Sequence, residues 1–210
     1  MKKLILFFVI SLNIFCNNKL NLKQTINKYY DLGLNNEISL TTFIRAIDGY
    51  KKLQSKKNNI LTIIDYSKPS LEKRFYVIDI KKNKILYSTY VMHGKNSGDN
   101  YTLEFSNTIN SNKSSPGFYK TLNSYEGQYG YSLRIKGLEE NINDNALKRN
   151  IVIHGSKYAL PLPNTTMLSK SLGCPAIPKE LCKPIIDTIK NGSILYIHTN
   201  KQEYLKNTKI

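Results

Sequence analysis

The spacing of hydrophobic residues along this chain changes at the polar stretch Gln54–Asn59. Before it, Leu22–Leu34 and Leu40–Leu53 carry apolar residues at helical spacing, which predicts two amphipathic helices, the second capped by Ser39 or Thr41. After it, short apolar runs separated by polar turns predict strands. The predicted strands are Ile60–Tyr66, Phe75–Ile80, Ile85–Met92, Phe118–Thr121, Tyr131–Ile135, Ile151–His154 and Ile194–His198. Helices followed by many strands predict a β-rich α+β fold.

Two segments interrupt the strand pattern. Gly94–Ser115 is rich in Asn, Ser and Gly and is longer than the usual connection in a compact domain, so we interpret it as a functional loop. Glu180–Lys190 has the spacing of a helix. We therefore expect a helical extension over residues 17–58, a β-rich domain over residues 59–200 and a polar tail over residues 201–210.

Residues 1–16 have the pattern of a signal peptide. Lys2 and Lys3 precede a nearly unbroken apolar run, Leu4–Phe15, which is shorter than the roughly 20 residues needed to cross a bilayer. Cys16 follows this run and begins a polar segment, which is typical of a bacterial lipoprotein whose cysteine is acylated. Phe15 stands where such signals carry a small residue, so simple cleavage and a retained anchor stay open. Each alternative predicts an exported protein of the periplasm or cell envelope, and acylation would add the membrane as a partner.

Charge and cysteine content exclude several classes of function. The chain has 31 Lys and Arg against 15 Asp and Glu, a formal net charge of +16, which attracts polyanions without specificity. The basic residues are nearly all dispersed lysines, and no zinc finger or aromatic RNA-binding motif accompanies them, so we predict no specific nucleic-acid partner. With three cysteines and three histidines, the sequence predicts neither a disulfide framework nor a metal site, and it implies no cofactor.

The residues that can carry chemistry concentrate in one short region. Ile151–Gly155 reads as a buried strand that contains His154 near its end, and Cys174 follows further along the chain, directly behind Gly173. A histidine at a strand end can act as base and then as proton donor for a cysteine nucleophile. A helix predicted to begin after Cys174 would favour its thiolate. The residue types alone also allow a buried structural cysteine and a hydrogen-bonded core histidine.

The order of these motifs resembles a known enzyme family. His154-Gly155 followed by Ser171-Leu172-Gly173-Cys174 resembles the histidine and S-H-G-C signature of the L,D-transpeptidase (YkuD-like) catalytic domain. Ser114–Tyr119 resembles the T-P-x-G-x-F/Y segment of that family, and Ile60–Ile197 is similar to its murein L,D-transpeptidase subgroup. Three further segments resemble this subgroup: His93–Gly98, Phe105–Thr108 and Gly173–Ala176. The resemblance implies a mixed β-sandwich or barrel with a short helix after the catalytic cysteine.

The resemblance also implies a function and a set of site residues. Members attack the third residue of a peptidoglycan stem tetrapeptide, release the terminal D-Ala, and pass the acyl group from the cysteine to an amine of another stem or to water. On this chain Cys174 would be the nucleophile and His154 the general base and acid, with Gly155 allowing the substrate backbone to approach. Ser171 would orient the loop, and the amides of Gly173 and Cys174 would form the oxyanion hole. Further candidates, for the walls of the substrate groove, are His93, Lys95 and Tyr119.

Two departures from the family pattern bear on the chemistry. Leu172 stands where the S-H-G-C motif has its histidine, so His154 is the only well-placed base. Pro175-Ala176 stand where many members have an apolar residue and an arginine, so no arginine from that position can contact a substrate carboxylate. Lys95 or Lys113 is the substitute that we consider.

Three alternatives to the transpeptidase remain from the sequence. One is a non-catalytic, cell-wall-binding lipoprotein that retains the fold, and another is an L,D-carboxypeptidase, in which water is the acceptor. The third is a serine acyl-enzyme of the penicillin-binding type, since Ser70–Lys73 matches S-x-x-K. Neither S-D-N nor K-T-G accompanies this match, which argues against the serine enzyme.

Overall fold

The computed structural model describes residues 21–53 and 59–210. The predicted signal peptide and Cys16 lie outside these residues. Within them, none of the helices combines the length and the apolarity that crossing a bilayer requires.

Two helices precede the sheet, as the apolar spacing predicts. Helix α1 covers residues 21–31 and α2 covers Leu40–Lys52, with a 3-10 turn at Leu34–Asn36 between them. The Ser39 hydroxyl caps α2 by accepting a hydrogen bond of 3.1 Å from the Thr42 amide. The buried apolar side chains of α2, among them Phe43, pack in one hydrophobic cluster with the sheet.

Eight strands form one mixed sheet. They are β1 (Ile60–Asp65), β2 (Phe75–Asp79), β3 (Lys84–Thr89), β4 (Gly117–Gly127), β5 (Gly130–Gly137), β6 (Val152–Ser156), β7 (Ala176–Pro178) and β8 (Ile194–His198). Their spatial order is β3-β2-β1-β8-β4-β5-β6-β7. The β1–β8 and β6–β7 pairs are parallel, and the other neighbours are antiparallel. An isolated bridge between Met92, beyond β3, and Ala176 in β7 joins the two edges, so the sheet forms a nearly closed barrel.

Hydrophobic side chains cover both faces of the central strands. Leu61 and Ile63 of β1 pack in the cluster that contains α2, whereas Ile64 packs in a second cluster. That second cluster also contains Ile186 of helix α3 (Lys179–Ile189), which follows β7 and contacts β5, β6 and β7. Because neither face meets solvent, every residue of β1, β2 and β8 is buried, and these strands are continuously apolar or nearly so.

The chain directly after Cys174 differs from the prediction. Ala176–Pro178 form strand β7, and α3 begins only at Lys179. The field of a helix falls off within its first turn, so the expectation that a helix N-terminus favours the Cys174 thiolate is wrong. A three-residue strand is too short to produce a periodic pattern, which is why the sequence did not indicate it.

The last ten residues contain a helix, α4 (Gln202–Asn207), in a segment that is polar in composition. Its Tyr204 is buried, and the phenol donates a hydrogen bond of 3.3 Å to the carboxylate of Glu139. The Thr208 hydroxyl donates a second hydrogen bond, of 2.5 Å, to the same carboxylate. One buried aromatic residue and one buried acid thus hold this segment on the barrel.

Candidate active site

The parallel pairing of β6 with β7 brings the two predicted catalytic residues to adjacent segments of chain. His154 in β6 lies opposite Ala176 in β7, and Cys174 comes two residues before Ala176. Both side chains lie almost entirely below the surface, with 8% of Cys174 and 6% of His154 exposed. The turn that leads into β6, with Asn150 in a left-handed conformation at φ 54°, passes beside Cys174.

The sulfur of Cys174 is surrounded by backbone groups of that turn and strand. Its thiol donates a hydrogen bond of 3.6 Å to the carbonyl of Asn150. Burial raises the pKa of Cys174, and this effect is opposed by a hydrogen bond from the Val152 backbone and by the positive charge of Arg149. Among the residues that the structure describes, no hydrogen bond joins the sulfur to His154. The resting thiol is thus protonated and held by Asn150.

The imidazole of His154 is held in one tautomer. Its Nδ1 lies 3.1 Å from the carbonyl oxygen of Gly155. A carbonyl can only accept, so Nδ1 carries the hydrogen and Nε2 keeps its lone pair. Burial lowers the pKa of His154, which favours the neutral ring. The group that orients the base is therefore a backbone carbonyl, and Nε2 is free to receive a proton.

A tyrosine from the β4–β5 hairpin covers the imidazole. Tyr129, which is half exposed at the tip of that hairpin, stacks on His154 with ring centroids 4.4 Å apart and planes inclined by 19°. The sequence did not indicate this contact, because the two residues are far apart along the chain and only the β5–β6 pairing brings the hairpin to the histidine.

The Ser171 hydroxyl joins two backbone groups of the loop before Cys174. Its hydroxyl donates a hydrogen bond of 2.7 Å to the Cys174 carbonyl and accepts one of 3.1 Å from the Gly173 amide. The Gly173 amide is therefore already used inside the loop, which contradicts its predicted place in an oxyanion hole. The Cys174 amide has no acceptor among the described residues, so this donor is free.

Gly173 is required by its conformation and by its neighbours. Its φ of +120° lies in a region that residues with a side chain rarely adopt. A Cβ atom at this position would lie 2.9 Å from the Lys113 carbonyl oxygen and 3.0 Å from Ile151. The Cys174 loop thus lies directly against the end of the long polar loop Gly94–Ser115.

Gly155 allows the close packing of α3 on β6. A Cβ atom on Gly155 would lie 3.0 Å from the Cβ of Cys182 and 3.2 Å from the Cα of Lys179. The missing side chain allows α3 to pack closely on β6, next to His154. Cys182 is itself a buried structural thiol, since its sulfur donates a hydrogen bond of 3.3 Å to the Tyr131 carbonyl.

Two of the three residues predicted to line the substrate groove lie in the interior. His93 is 1% exposed, and its two ring nitrogens are bonded to Arg74 at 2.8 Å and to the Gly98 carbonyl at 3.1 Å. Tyr119 is fully buried, with its hydroxyl 2.9 Å from the Ser115 carbonyl that accepts from it. Both therefore support the loops from inside, and their assignment to a groove wall is wrong.

Lys95 is at the surface, beside the site. Its amide donates a hydrogen bond of 2.8 Å to the Ser171 carbonyl, and its side chain lines a cavity of about 580 Å³ together with Tyr158, Leu160, Leu162 and Met167. This cavity adjoins the segment that leads into the Cys174 loop. Lys113, the other lysine considered for a substrate carboxylate, is paired with Glu104 at 3.7 Å.

Ser70, the nucleophile of the rival serine enzyme, is a structural residue. It is completely buried, and its hydroxyl bonds to the Asn100 side chain at 3.0 Å and to the Leu168 amide at 2.9 Å. A hydroxyl that is sealed in the interior cannot reach a substrate, so the S-x-x-K match carries no chemistry.

Arg149 is the residue near Cys174 that our sequence reasoning missed. It is one of only four arginines in a lysine-rich chain and lies shortly before the strand that carries His154, which was the available signal. Its Nη2 lies 3.5 Å from the position of a Cβ on Gly173.

Comparisons with known proteins agree with the resemblance in the motifs. A sequence model of the family described as the L,D-transpeptidase catalytic domain matches residues 34–198, a range that contains both Cys174 and His154. The match begins upstream of β1, before helix α2. No curated protein matches the chain.

Solved structures with a similar arrangement are distant in sequence. An L,D-transpeptidase from Mycobacterium smegmatis is 10% identical over 67% of this chain and 59% of its own, with a TM-score of 0.44. One from Mycobacterium tuberculosis H37Rv is 14% identical over 67% and 58%, with a TM-score of 0.43. The helical cell shape determining protein Pgp2 from Campylobacter jejuni is 15% identical over 71% and 50%, with a TM-score of 0.45. The chain thus spans less than two thirds of the length of each of these proteins.

Proposed function

Because this chain belongs to the L,D-transpeptidase catalytic-domain family, we propose that it is a cysteine acyltransferase that acts on peptidoglycan stem peptides. The observation that supports this most directly is the β6–β7 pairing. It sets Cys174 beside the strand that carries His154, whose tautomer leaves Nε2 ready to take a proton.

Acylation begins with the transfer of the thiol proton from Cys174 to Nε2 of His154. The thiol must first turn away from the Asn150 carbonyl, its partner in the resting structure. The thiolate then attacks the carbonyl carbon of the third residue of a stem tetrapeptide, and the free amide of Cys174 donates a hydrogen bond to the oxyanion. When the C–N bond breaks, His154 returns its proton to the leaving amine of terminal D-Ala, and a thioester remains.

Deacylation reverses the roles of the same two residues. An amine of a second stem, or water, attacks the thioester carbonyl while Nε2 of His154 takes a proton from it. The Cys174 sulfur leaves and recovers that proton. The product is a cross-link when the acceptor is an amine and a shortened stem when it is water.

The direct experiment uses purified protein with tetrapeptide muropeptides and follows D-Ala release by mass spectrometry. We expect release with the natural chain, none with Cys174→Ala, and unchanged release with Cys182→Ala, a matched cysteine outside the reaction. Incubation with a carbapenem should add one adduct, located on Cys174, and His154→Ala should slow its formation. Release that persists in Cys174→Ala would contradict the proposal.

A non-catalytic wall-binding protein is the second candidate function. It is favoured by the low exposure of Cys174 and by the hydrogen bond that holds its thiol on Asn150 instead of on His154. In the same experiment, a binding protein would retain muropeptides without releasing D-Ala, and Cys174→Ala would bind as the natural chain does.

We further propose that the domain acts in the periplasm or cell envelope. The pattern of residues 1–16 supports this, with Cys16 as the site of lipid attachment. Mass spectrometry of the mature N-terminus tests it. A chain that begins at an acylated Cys16 is expected, and a mature chain that begins elsewhere would contradict lipidation.

A further inference from the structure

The guanidinium group of Arg149 lies at the point where the Cys174 loop meets the long polar loop. The Lys113 carbonyl approaches Gly173, and Nη2 of Arg149 donates a hydrogen bond to that same carbonyl. Arg149 is therefore adjacent to Gly173, the residue directly before Cys174, and belongs to the segment that leads into β6.

Four of the five N–H groups of Arg149 are used by the polar loop. Nη1 donates to the Ser106 carbonyl at 2.6 Å and to the Ser115 hydroxyl at 3.2 Å. Nη2 donates to the Ser111 hydroxyl at 3.2 Å and to the Lys113 carbonyl. These bonds fix the position of the guanidinium, and they leave it without the paired N–H groups that would grip a substrate carboxylate.

All four acceptors are neutral, so the positive charge of Arg149 is not cancelled. None of the ion pairs among residues 21–53 and 59–210 includes Arg149. The group is half-buried, and burial lowers its pKa, while the acidic groups that oppose this shift are Tyr119 and Cys174. A fixed cation in partly desolvated surroundings acts more strongly on a nearby anion than a cation in water does.

We propose that Arg149 is the residue that stabilises the thiolate of Cys174, as a positioning residue that acts by its charge and not by contact with substrate. The inference rests on the proposed role of Cys174 as nucleophile. A reactive cysteine requires electropositive surroundings. Arg149 would supply them in place of a helix N-terminus, since α3 begins only at Lys179.

The tyrosines and the histidine near the sulfur do not interfere with a measurement between pH 7 and 10. Burial raises the pKa of Tyr66 to about 12, and burial also raises the pKa of Tyr119. Burial lowers the pKa of His154 below its ordinary value of 6.5, so its ring is mostly neutral from pH 7 upward. A change in the ionisation of Cys174 therefore reports on Arg149.

The test is the pH dependence of Cys174 alkylation by iodoacetamide, which needs no muropeptide. A failure of this inference is therefore distinguishable from a failure of the proposed function. Trypsin separates Cys174 from Cys182 because Lys179 lies between them, so mass spectrometry follows each thiol alone. We expect Arg149→Gln to raise the midpoint of the pH profile of Cys174 alkylation by about one pH unit. The rate of alkylation at pH 7 would then fall about tenfold. Arg149→Lys should recover most of this loss.

Two controls separate charge from structure. Arg134→Gln removes an arginine that lies over the Tyr125 ring and should leave the profile unchanged. Ser111→Ala removes one hydrogen bond to Arg149 but keeps the charge, and it should also leave the midpoint in place. If the pH profile of Cys174 alkylation in Arg149→Gln coincides with that of the natural chain, the proposal is overturned. It is also overturned if Arg149→Gln and Arg149→Lys slow the alkylation equally. Should Arg149→Gln fail to fold, Arg149→Met, which also removes the charge, takes its place and is judged by the same two outcomes.

Discussion

Tyr129 lies flat on the imidazole of His154, with 4.4 Å between ring centroids, although it belongs to a hairpin tip and is itself half exposed. The stack shields one face of the proposed base from water. It also fixes the plane of the ring in addition to the bond between Nδ1 and the Gly155 carbonyl. The position of the base thus depends on an element that contributes no group to the proposed reaction.

Replacing Tyr129 should change the titration of His154. Burial lowers the pKa of His154, and Tyr129→Ala opens the ring to water, so we expect the pKa to rise toward its ordinary value of 6.5. The imidazole must be neutral to act as base. As the pH is lowered, kcat/KM should therefore begin to fall at a higher pH in Tyr129→Ala than in the natural chain. NMR titration of the imidazole and the pH profile both measure this. Tyr129→Phe keeps the stack and serves as control; a His154 pKa that is unchanged in Tyr129→Ala would contradict the role of the stack.

The buried pair of Arg74 and His93 should make stability depend on pH. Arg74 donates to Nδ1 of His93, so His93 is neutral in the folded protein, and burial, followed by the Arg74 charge, lowers its pKa to about 4. The unfolded chain takes up this proton near pH 6.5, so the contribution of His93 to stability is complete above that pH and is lost as pH falls toward 4. The loss amounts to about 3 kcal/mol in the free energy of unfolding.

Urea unfolding at pH 7 and pH 4.5 measures this dependence, and His93→Gln isolates it. Glutamine can accept from Arg74 and donate to the Gly98 carbonyl without titrating, so the variant should lose less stability over this interval than the natural chain. An equal loss in both proteins would show that His93 does not carry the effect.

The close packing of α3 on β6 should make Gly155 intolerant of a side chain. In Gly155→Ala the new methyl group meets Cys182 and Lys179 at 3.0 Å and 3.2 Å, so α3 must shift. We expect a loss of about 1–3 kcal/mol in the free energy of unfolding, as for other overpacked interiors. Thermal or urea unfolding measures it, with Ser156→Ala on the same strand as control. Unchanged stability in Gly155→Ala would mean that the contact is easily relieved.

The carboxylate of Glu139 should hold the C-terminal helix in place. It accepts hydrogen bonds from the Phe118 amide at 2.7 Å, the Tyr204 hydroxyl and the Thr208 hydroxyl. Glu139→Ala leaves these donors without their acceptor, which should cost about 1–3 kcal/mol or more. Limited proteolysis should then cleave the segment after residue 200 faster than in the natural chain. Glu140→Ala, at the exposed neighbouring position, is the control, and equal cleavage rates would contradict the anchoring role.

Hydrophobic spacing was sufficient to predict the most apolar elements of the fold, whereas it predicted only Phe118–Thr121 of the longer strand β4. Helix α2 and the continuously apolar strands β1, β2 and β8 follow from local patterns, because a residue that must be buried is apolar wherever its partner lies. Strand β7 was beyond such reasoning. Its three residues have no period, and they form a strand only because β6 lies beside them.

The sequence by itself determined the family and indicated the two residues that we propose to react, since ordered motifs and residue chemistry are properties of the chain. Only the tertiary structure decided that a backbone carbonyl orients His154, that a hairpin tyrosine covers it, and that His93 and Tyr119 are interior supports. It alone placed Arg149 beside Gly173 and began α3 only at Lys179, after strand β7. The physical reason is that a hydrogen bond, a ring contact and the effect of a charge depend on distance in space, and residues that are far apart in sequence come within that distance only when the barrel closes.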